Sequence, residues 1–356
     1  MSPEGLRFSV AHSGLDRFKT IDFQMTFKIP VTMKAVLCRQ FGPPESLTVD
    51  EVAWPETATG KVVIEVKACG VNFPDTLLIE GKYQFKPAFP FSPGGEVAGI
   101  VREVGEGVNH IKPGDNVFAL TGWGGFAEGV LADAYKTFPM PDGMDYNTAA
   151  SLMYTYGTSY HALKQRAQVR PGETLLVLGA AGGVGLAAVT LGKLMGARVI
   201  AAASTDEKLA LCRQYGADET INYTTQPLRD RLNELVGKKG VDVIYDPVGG
   251  DLAEPALRSM AWGGRYLVIG FAAGQIPSLP MNLPLLKGCS VVGVFWGAFA
   301  ERQPKDNMQN VQELLQFWQQ GQLIPHIHAT YPLEQAADAL NDMLGRRVMG
   351  KVLMVV

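Results

Sequence analysis

Only four cysteines occur in 356 residues, at positions 38, 69, 212 and 289. None forms a C-x-x-C pair, so neither a disulfide framework nor a zinc knuckle is implied, and a reducing, cytoplasmic setting fits. A Lys/Arg cluster is also missing. With 32 basic against 35 acidic residues the formal net charge is -3, which leaves no basic face for a phosphate backbone, and nucleic acid is not an expected partner. His326 and His328 form the one close histidine pair, and without an acid or thiol at ligand spacing they carry no metal expectation. The N-terminus lacks an apolar run of export-signal length, because Arg7, Asp16, Arg17 and Lys19 interrupt it. Residues 1–32 read as an extension, either disordered or an over-long start, ahead of a strand pair that begins at Met33 around a Gly-Pro-Pro turn. Thr174 to Gly192 is free of charge over the length of a membrane span, but Gly179, Gly182, Gly183 and Gly185 crowd its middle. Each glycine costs a helix interior about 1 kcal/mol relative to alanine, so the stretch reads as strand, glycine turn and helix, with no membrane association.

After that turn, apolar strands alternate with single helices: "RVIAAAS", "ETINY", "VDVIYDPV", "GRYLVIGF" and "CSVVGVFW" (289–296) are the strands. Val and Ile on both faces imply a parallel sheet covered on both sides, an α/β doubly wound nucleotide-binding domain over 156–299. Residues 33–155 read instead as short strands and turns of a twisted β domain. Residues 300–356 supply two helices and a last strand, "GKVLMVV", that returns to it.

The turn "VLGAAGGVGLAA" reads Ala180-x-Gly182-x-x-Gly185, a dinucleotide fingerprint with alanine in its first position. The first position must permit a tight turn, Gly182 lets backbone amides approach a pyrophosphate, and Gly185 lets helix and strand pack closely. At the end of the second strand, where an NAD-binding chain places an acid against the ribose, stand Ala201, Ala202, Ala203 and Ser204. No carboxylate there repels a 2′-phosphate, and Ser204 and Lys208 can bond it, so NADPH is the expected cofactor. Asp206 and Glu207 weigh against this slightly, and Lys208 alone could be a solvated helix charge.

These segments resemble the zinc-free quinone oxidoreductase and zeta-crystallin branch of the medium-chain dehydrogenase/reductase superfamily. "GVNFPDTLLIEGKYQF", "PFSPGGEVAGIVREVGEGV", "KPGDNVFAL", "YGTSYHAL", "VIYDPVGG" and "VIGFAAG" are similar to that branch in the same order, over roughly residues 33–356. The resemblance implies a Rossmann domain inserted in a GroES-like β-rich catalytic domain, with the cofactor in the cleft between them. It also implies no metal: Asn72 stands where zinc-dependent relatives carry a cysteine ligand, and Gly95 precedes Glu96 where they carry a His-Glu pair. Carried over by position, Asn72, Phe73 and Asp75 line the nicotinamide end, with His161 close to the cofactor. Gly183 and Val184 meet the pyrophosphate. Ser204, Lys208, Tyr223 and Arg346 face the adenosine phosphate, Phe271 and Ala272 follow the fifth strand, and Phe295 and Trp296 close over the carboxamide. Without the resemblance the aromatics among these would read as core.

Without a Lewis acid the acceptor must already be prepared for hydride, a quinone or an enone. Tyr83, in "GKYQF", is the candidate donor to the reduced oxygen, or only a wall. An enoyl-CoA reductase is the alternative, with Arg302 and Lys305 as the available basic rim. A non-catalytic NADPH-binding, crystallin-like structural or RNA-associating protein is the alternative from another class. The edge strand "CSVVGVFW" implies a homodimer, since relatives pair such edges across a two-fold axis.

Overall fold

The computed structural model describes residues 32–356, so the expected extension lies outside the described residues except for Thr32, which opens the first strand. β1 (Thr32–Leu37) and β2 (Thr48–Ala53) form the antiparallel pair expected around the Gly-Pro-Pro turn. β3 (Lys61–Val71), β4 (Glu96–Val104), β5 (Asn116–Leu120), β6 (Gly129–Asp133) and β7 (Thr137–Pro139) follow, and β3 pairs antiparallel with both β4 and β6. Their inward residues, among them Ile64, Val66, Val97, Val101 and Val117, make one closed core.

Next come β8 (Thr174–Leu178), β9 (Arg198–Ala203), β10 (Glu219–Asn222), β11 (Val241–Asp246), β12 (Met260–Val268) and β13 (Ser290–Gly293). All are parallel, in the order β10-β9-β8-β11-β12-β13. Both faces are covered, as the apolar runs require. Leu175 and Val177 of β8 enter one core cluster while Leu176 and Leu178 enter another on the opposite face. Burying side chains of this size contributes roughly 1.5–3 kcal/mol each. The strand order reverses between β8 and β11, and the crevice at the carboxyl ends of strands at such a switch point is where α/β sheets bind ligands.

The chain then returns through β14 (Ile327–Pro332) and β15 (Lys351–Val355), completing the larger sheet as β14-β15-β3-β4-β5-β7. β15 runs antiparallel to β3, with Val352 opposite Val71. Just before it, the Gly350 N–H donates to the Ala181 carbonyl at 2.8 Å and ties the return strand to the glycine turn.

One element differs from expectation. The strand expected over 289–296 stops at Gly293, and Trp296 opens a helix, Trp296–Arg302. The Trp296 indole anchors that start by donating to Asn307 Oδ1 at 3.2 Å and packing where Gly157 has no side chain. Among the described residues no helix is long and apolar enough to cross a membrane.

Candidate functional site

A cavity of about 2400 Å³ opens between the two sheets and runs from Ser204 to Asn72. At its middle the helix Gly183–Leu194 starts from Gly182, whose backbone is extended at φ -73°. The tight turn belongs to Gly179, at φ +58°, rather than to Ala180, the residue expected to permit it. Gly185 performs the packing role: a Cβ there would lie 2.3 Å from the Gly179 carbonyl oxygen. Gly182, Gly183 and Val184 border the cavity, with the first free N–H groups of the helix available to a pyrophosphate.

At one end Ser204, Lys208, Tyr223 and Arg346 converge on the cavity wall. Lys208 Nζ donates to the Arg346 carbonyl at 2.7 Å and to Ser204 Oγ at 3.4 Å, and the Arg346 guanidinium donates to the Ala273 carbonyl at 3.2 Å. Burial first, and the Arg346 charge second, lower Lys208 from the ordinary lysine value. Two cations held this close suit a dianionic phosphate. Asp206, which weighed against that reading, accepts from Asn222 Nδ2 at 2.9 Å in the first turn of its helix.

At the other end, the helix Phe73–Ile79 begins where β3 stops. Asp75 Oδ2 accepts from the Asn72 N–H at 2.7 Å, and Oδ1 from the Gly94 N–H at 3.1 Å. Burial outweighs these two bonds and raises the Asp75 carboxyl to about 6. Asn72 Oδ1 accepts from Lys351 Nζ at 2.8 Å, while Nδ2 donates to the Gly70 carbonyl at 3.1 Å and approaches Glu96 Oε2 at 3.4 Å. Lys351 bridges to Glu96 Oε2 at 3.1 Å, and both side chains are buried, at 4% and 1% exposure. Glu96 Oε1 in turn accepts from the Met153 and Tyr154 N–H groups. An ammonium can only donate, so it fixes the amide with its oxygen inward.

This donor set does not fit zinc. Asn72 offers an amide already bonded at both ends, Gly95 offers nothing, an ammonium rests against Glu96, and both oxygens of the nearby Asp75 accept backbone N–H groups. No group of three metal-ligating side chains gathers among the described residues.

Phe73, Asp75, Tyr83, Phe271, Ala272, Phe295 and Trp296 border the cavity as well. Phe295 is half exposed and Trp296 buried. His161 does not. Its ring stacks on Phe299 with centroids 3.9 Å apart, Nδ1 pairs with Gln165 Oε1 at 3.2 Å, and burial lowers its pKa, so its side chain is engaged away from the cavity wall. Thr158, one turn earlier, borders the cavity instead. Lys351 was not anticipated from sequence, although a lone cation opening the otherwise apolar strand "KVLMVV" is a signal of a buried, paired charge.

A doubly wound domain and a largely antiparallel β domain sharing one cleft, with a glycine turn at its centre, define a two-domain dinucleotide-dependent dehydrogenase/reductase architecture. Residues 58–142 match the alcohol dehydrogenase GroES-like domain family and residues 183–316 the zinc-binding dehydrogenase family. The chain is 40% identical to rat (Rattus norvegicus) quinone oxidoreductase-like protein 2, over 90% of this chain and 91% of that one. Human quinone oxidoreductase is 34% identical over 91% of this chain and 98% of its own length. The crystal structure of Escherichia coli quinone oxidoreductase complexed with NADPH superposes with a TM-score of 0.85 at 29% identity, covering 91% of this chain and 99% of that one. The chain belongs to the quinone oxidoreductase branch of the medium-chain dehydrogenase/reductase superfamily.

Proposed function

We propose that this protein, an NADPH-dependent oxidoreductase, reduces a quinone or an α,β-unsaturated carbonyl compound without a metal. The observation that carries the reading is the pairing of a phosphate cradle with a metal-unfit chamber in one cleft: Ser204, Lys208, Tyr223 and Arg346 at one end, the Asn72–Lys351–Glu96 network at the other. The cradle fits NADPH, the ligand named for the Escherichia coli relative. Bound there, the cofactor supplies hydride. The protein's part is to hold the adenosine phosphate on Lys208 and Arg346, the pyrophosphate on the Gly183 and Val184 amides, and the nicotinamide between Asn72 and Trp296.

Beyond the nicotinamide end, Leu120, Trp123, Tyr83 and Phe295 wall an apolar chamber suited to a flat conjugated acceptor. An unactivated alcohol would need polarisation that these side chains do not supply. Arg302 and Lys305 also border the cavity, and neither has an ion-pair partner among the described residues, which favours the enoyl-CoA thioester as the second reading. The protein acts as a homodimer in this reading, because β13 is an edge strand and Val291, Leu285, Leu286 and Trp262 are exposed around it.

The test is NADPH oxidation with quinones, simple enones and enoyl-CoA esters under one condition, with NADH in parallel. Turnover of quinones or enones with NADPH preferred is the expected result. Preference for NADH would overturn the assignment of Ser204 and Lys208, and NADPH binding without turnover of any acceptor would favour the non-catalytic, crystallin-like role.

A further inference from the structure

Gly95 stands where the resemblance places an imidazole in zinc-dependent relatives, and the space beside it is filled. A Cβ built on Gly95 would lie 2.5 Å from Tyr154 Oη and 2.9 Å from the Gly122 carbonyl oxygen. A phenol has taken the volume that a side chain at position 95 would need.

Three features hold Tyr154 in that place. Its backbone N–H donates to Glu96 Oε1 at 3.0 Å, and its ring meets the Trp296 indole edge-on with centroids 5.9 Å apart. It also belongs to a π-helical turn, Met153–Gly157, a widened turn frequent at functional sites. Among the described residues no group bonds Oη, and Oη is not a sealed orphan, so it opens on the cavity that Tyr154 helps to wall. A rigidly mounted O–H without an acceptor among the described residues, at the nicotinamide end of an apolar chamber, is a preorganised donor.

We propose that Tyr154 is a catalytic residue that donates a hydrogen bond to the carbonyl oxygen of the acceptor, doing with a phenol what zinc does in metal-dependent relatives. The proposal rests on the quinone or enone reading above. Burial first, then the Asp75 charge, raises the phenol well above its ordinary value, so Tyr154 keeps its proton throughout. The acceptor takes two electrons and one hydrogen as hydride from NADPH. Its carbonyl π pair moves onto oxygen, the resulting oxyanion is held by the Tyr154 O–H, and the balancing proton comes from water. Tyr83 borders the same chamber but on the segment after the helix Phe73–Ile79, flanked by exposed Lys82, Gln84 and Phe85.

Tyr154→Phe keeps the ring on Trp296 and removes only Oη. Its kcat with p-benzoquinone should fall about 10²-fold, the scale for losing one oxyanion donor, while the NADPH Kd stays at the wild-type value. Independently of turnover, the affinity of the enzyme–NADP⁺ complex for duroquinone, read by titration calorimetry, should fall about tenfold, the scale of one lost hydrogen bond. Wild-type kcat and duroquinone affinity in the variant would overturn the role of Tyr154 and leave the acceptor reading standing. A parallel loss of NADPH affinity would overturn it in favour of a structural role. A wild-type protein that reduces neither quinones nor enones would overturn the acceptor reading and, with it, the role of Tyr154.

Discussion

Replacing Lys351 by methionine is the sharpest test of the network behind Asn72. The substitution keeps an unbranched side chain of similar length and removes the ammonium that meets Asn72 Oδ1 at 2.8 Å and Glu96 Oε2 at 3.1 Å. With the pair only 4% and 1% exposed, Glu96 would be left as a charge that water cannot reach. Stranding one partner of such a pair costs about 3–5 kcal/mol. The unsatisfied Asn72 oxygen adds to the same loss without being independent of it, because both costs run through one nitrogen. At about 2–4 °C per kcal/mol for domains of this size, Lys351→Met should melt roughly 10 °C below the wild type. Adding Glu96→Gln removes the stranded charge, and the double variant should recover more than half of the loss. Differential scanning calorimetry of the four proteins closes the cycle. A single variant within about 2 °C of wild type, or a double variant no more stable than Lys351→Met, would refute the dependence of Glu96 on this ammonium.

Asp75 makes the pH dependence of stability testable in sign. Its folded value of about 6 lies above the ordinary 3.8, so the folded state holds the proton more tightly, and its contribution is greatest at low pH and lost as pH rises through about 6. At about 1.4 kcal/mol per unit, wild type should lose about 2 kcal/mol relative to Asp75→Asn between pH 4 and 6.5, measured by urea melts, and parallel curves would count against the raised value. For the dimer, Val291→Asp places a carboxylate on the exposed edge of β13 and should give a monomer by light scattering at micromolar concentration. A monomeric wild-type protein would end the dimer reading.

The doubly wound sheet was legible because its strands are apolar on both faces, a pattern that few other folds need. The glycine turn was legible because close packing excludes every side chain at Gly185. Ala180 was misread because the fingerprint marks small residues, while the positive φ that identifies the turning residue is a backbone property. His161, carried over by position alone, lies between the π-helical turns Met153–Gly157 and Ala162–Arg166, a local widening of the helix that the family pattern does not reveal. Tyr154 and Lys351 were not legible because their partners are tertiary: Tyr154 matters through Gly95 and Trp296, and Lys351 through Glu96 and Asn72.

The return strand β15 also has a consequence for the order in which the molecule assembles. Lys351 and Asn72 are 279 positions apart, and between them lies a sheet whose own pairings are far more local. Closing a long loop costs entropy before its contacts are gained, so local units form first. The doubly wound unit, with Ser204, Lys208 and the glycine turn all within its own span, can take shape while the acceptor chamber is still unmade. On the proposed reading, a refolding chain forms the glycine turn and the Ser204–Lys208 wall before Arg346 completes the phosphate cradle, so weak affinity for an adenosine phosphate should precede both full affinity and turnover in a stopped-flow comparison.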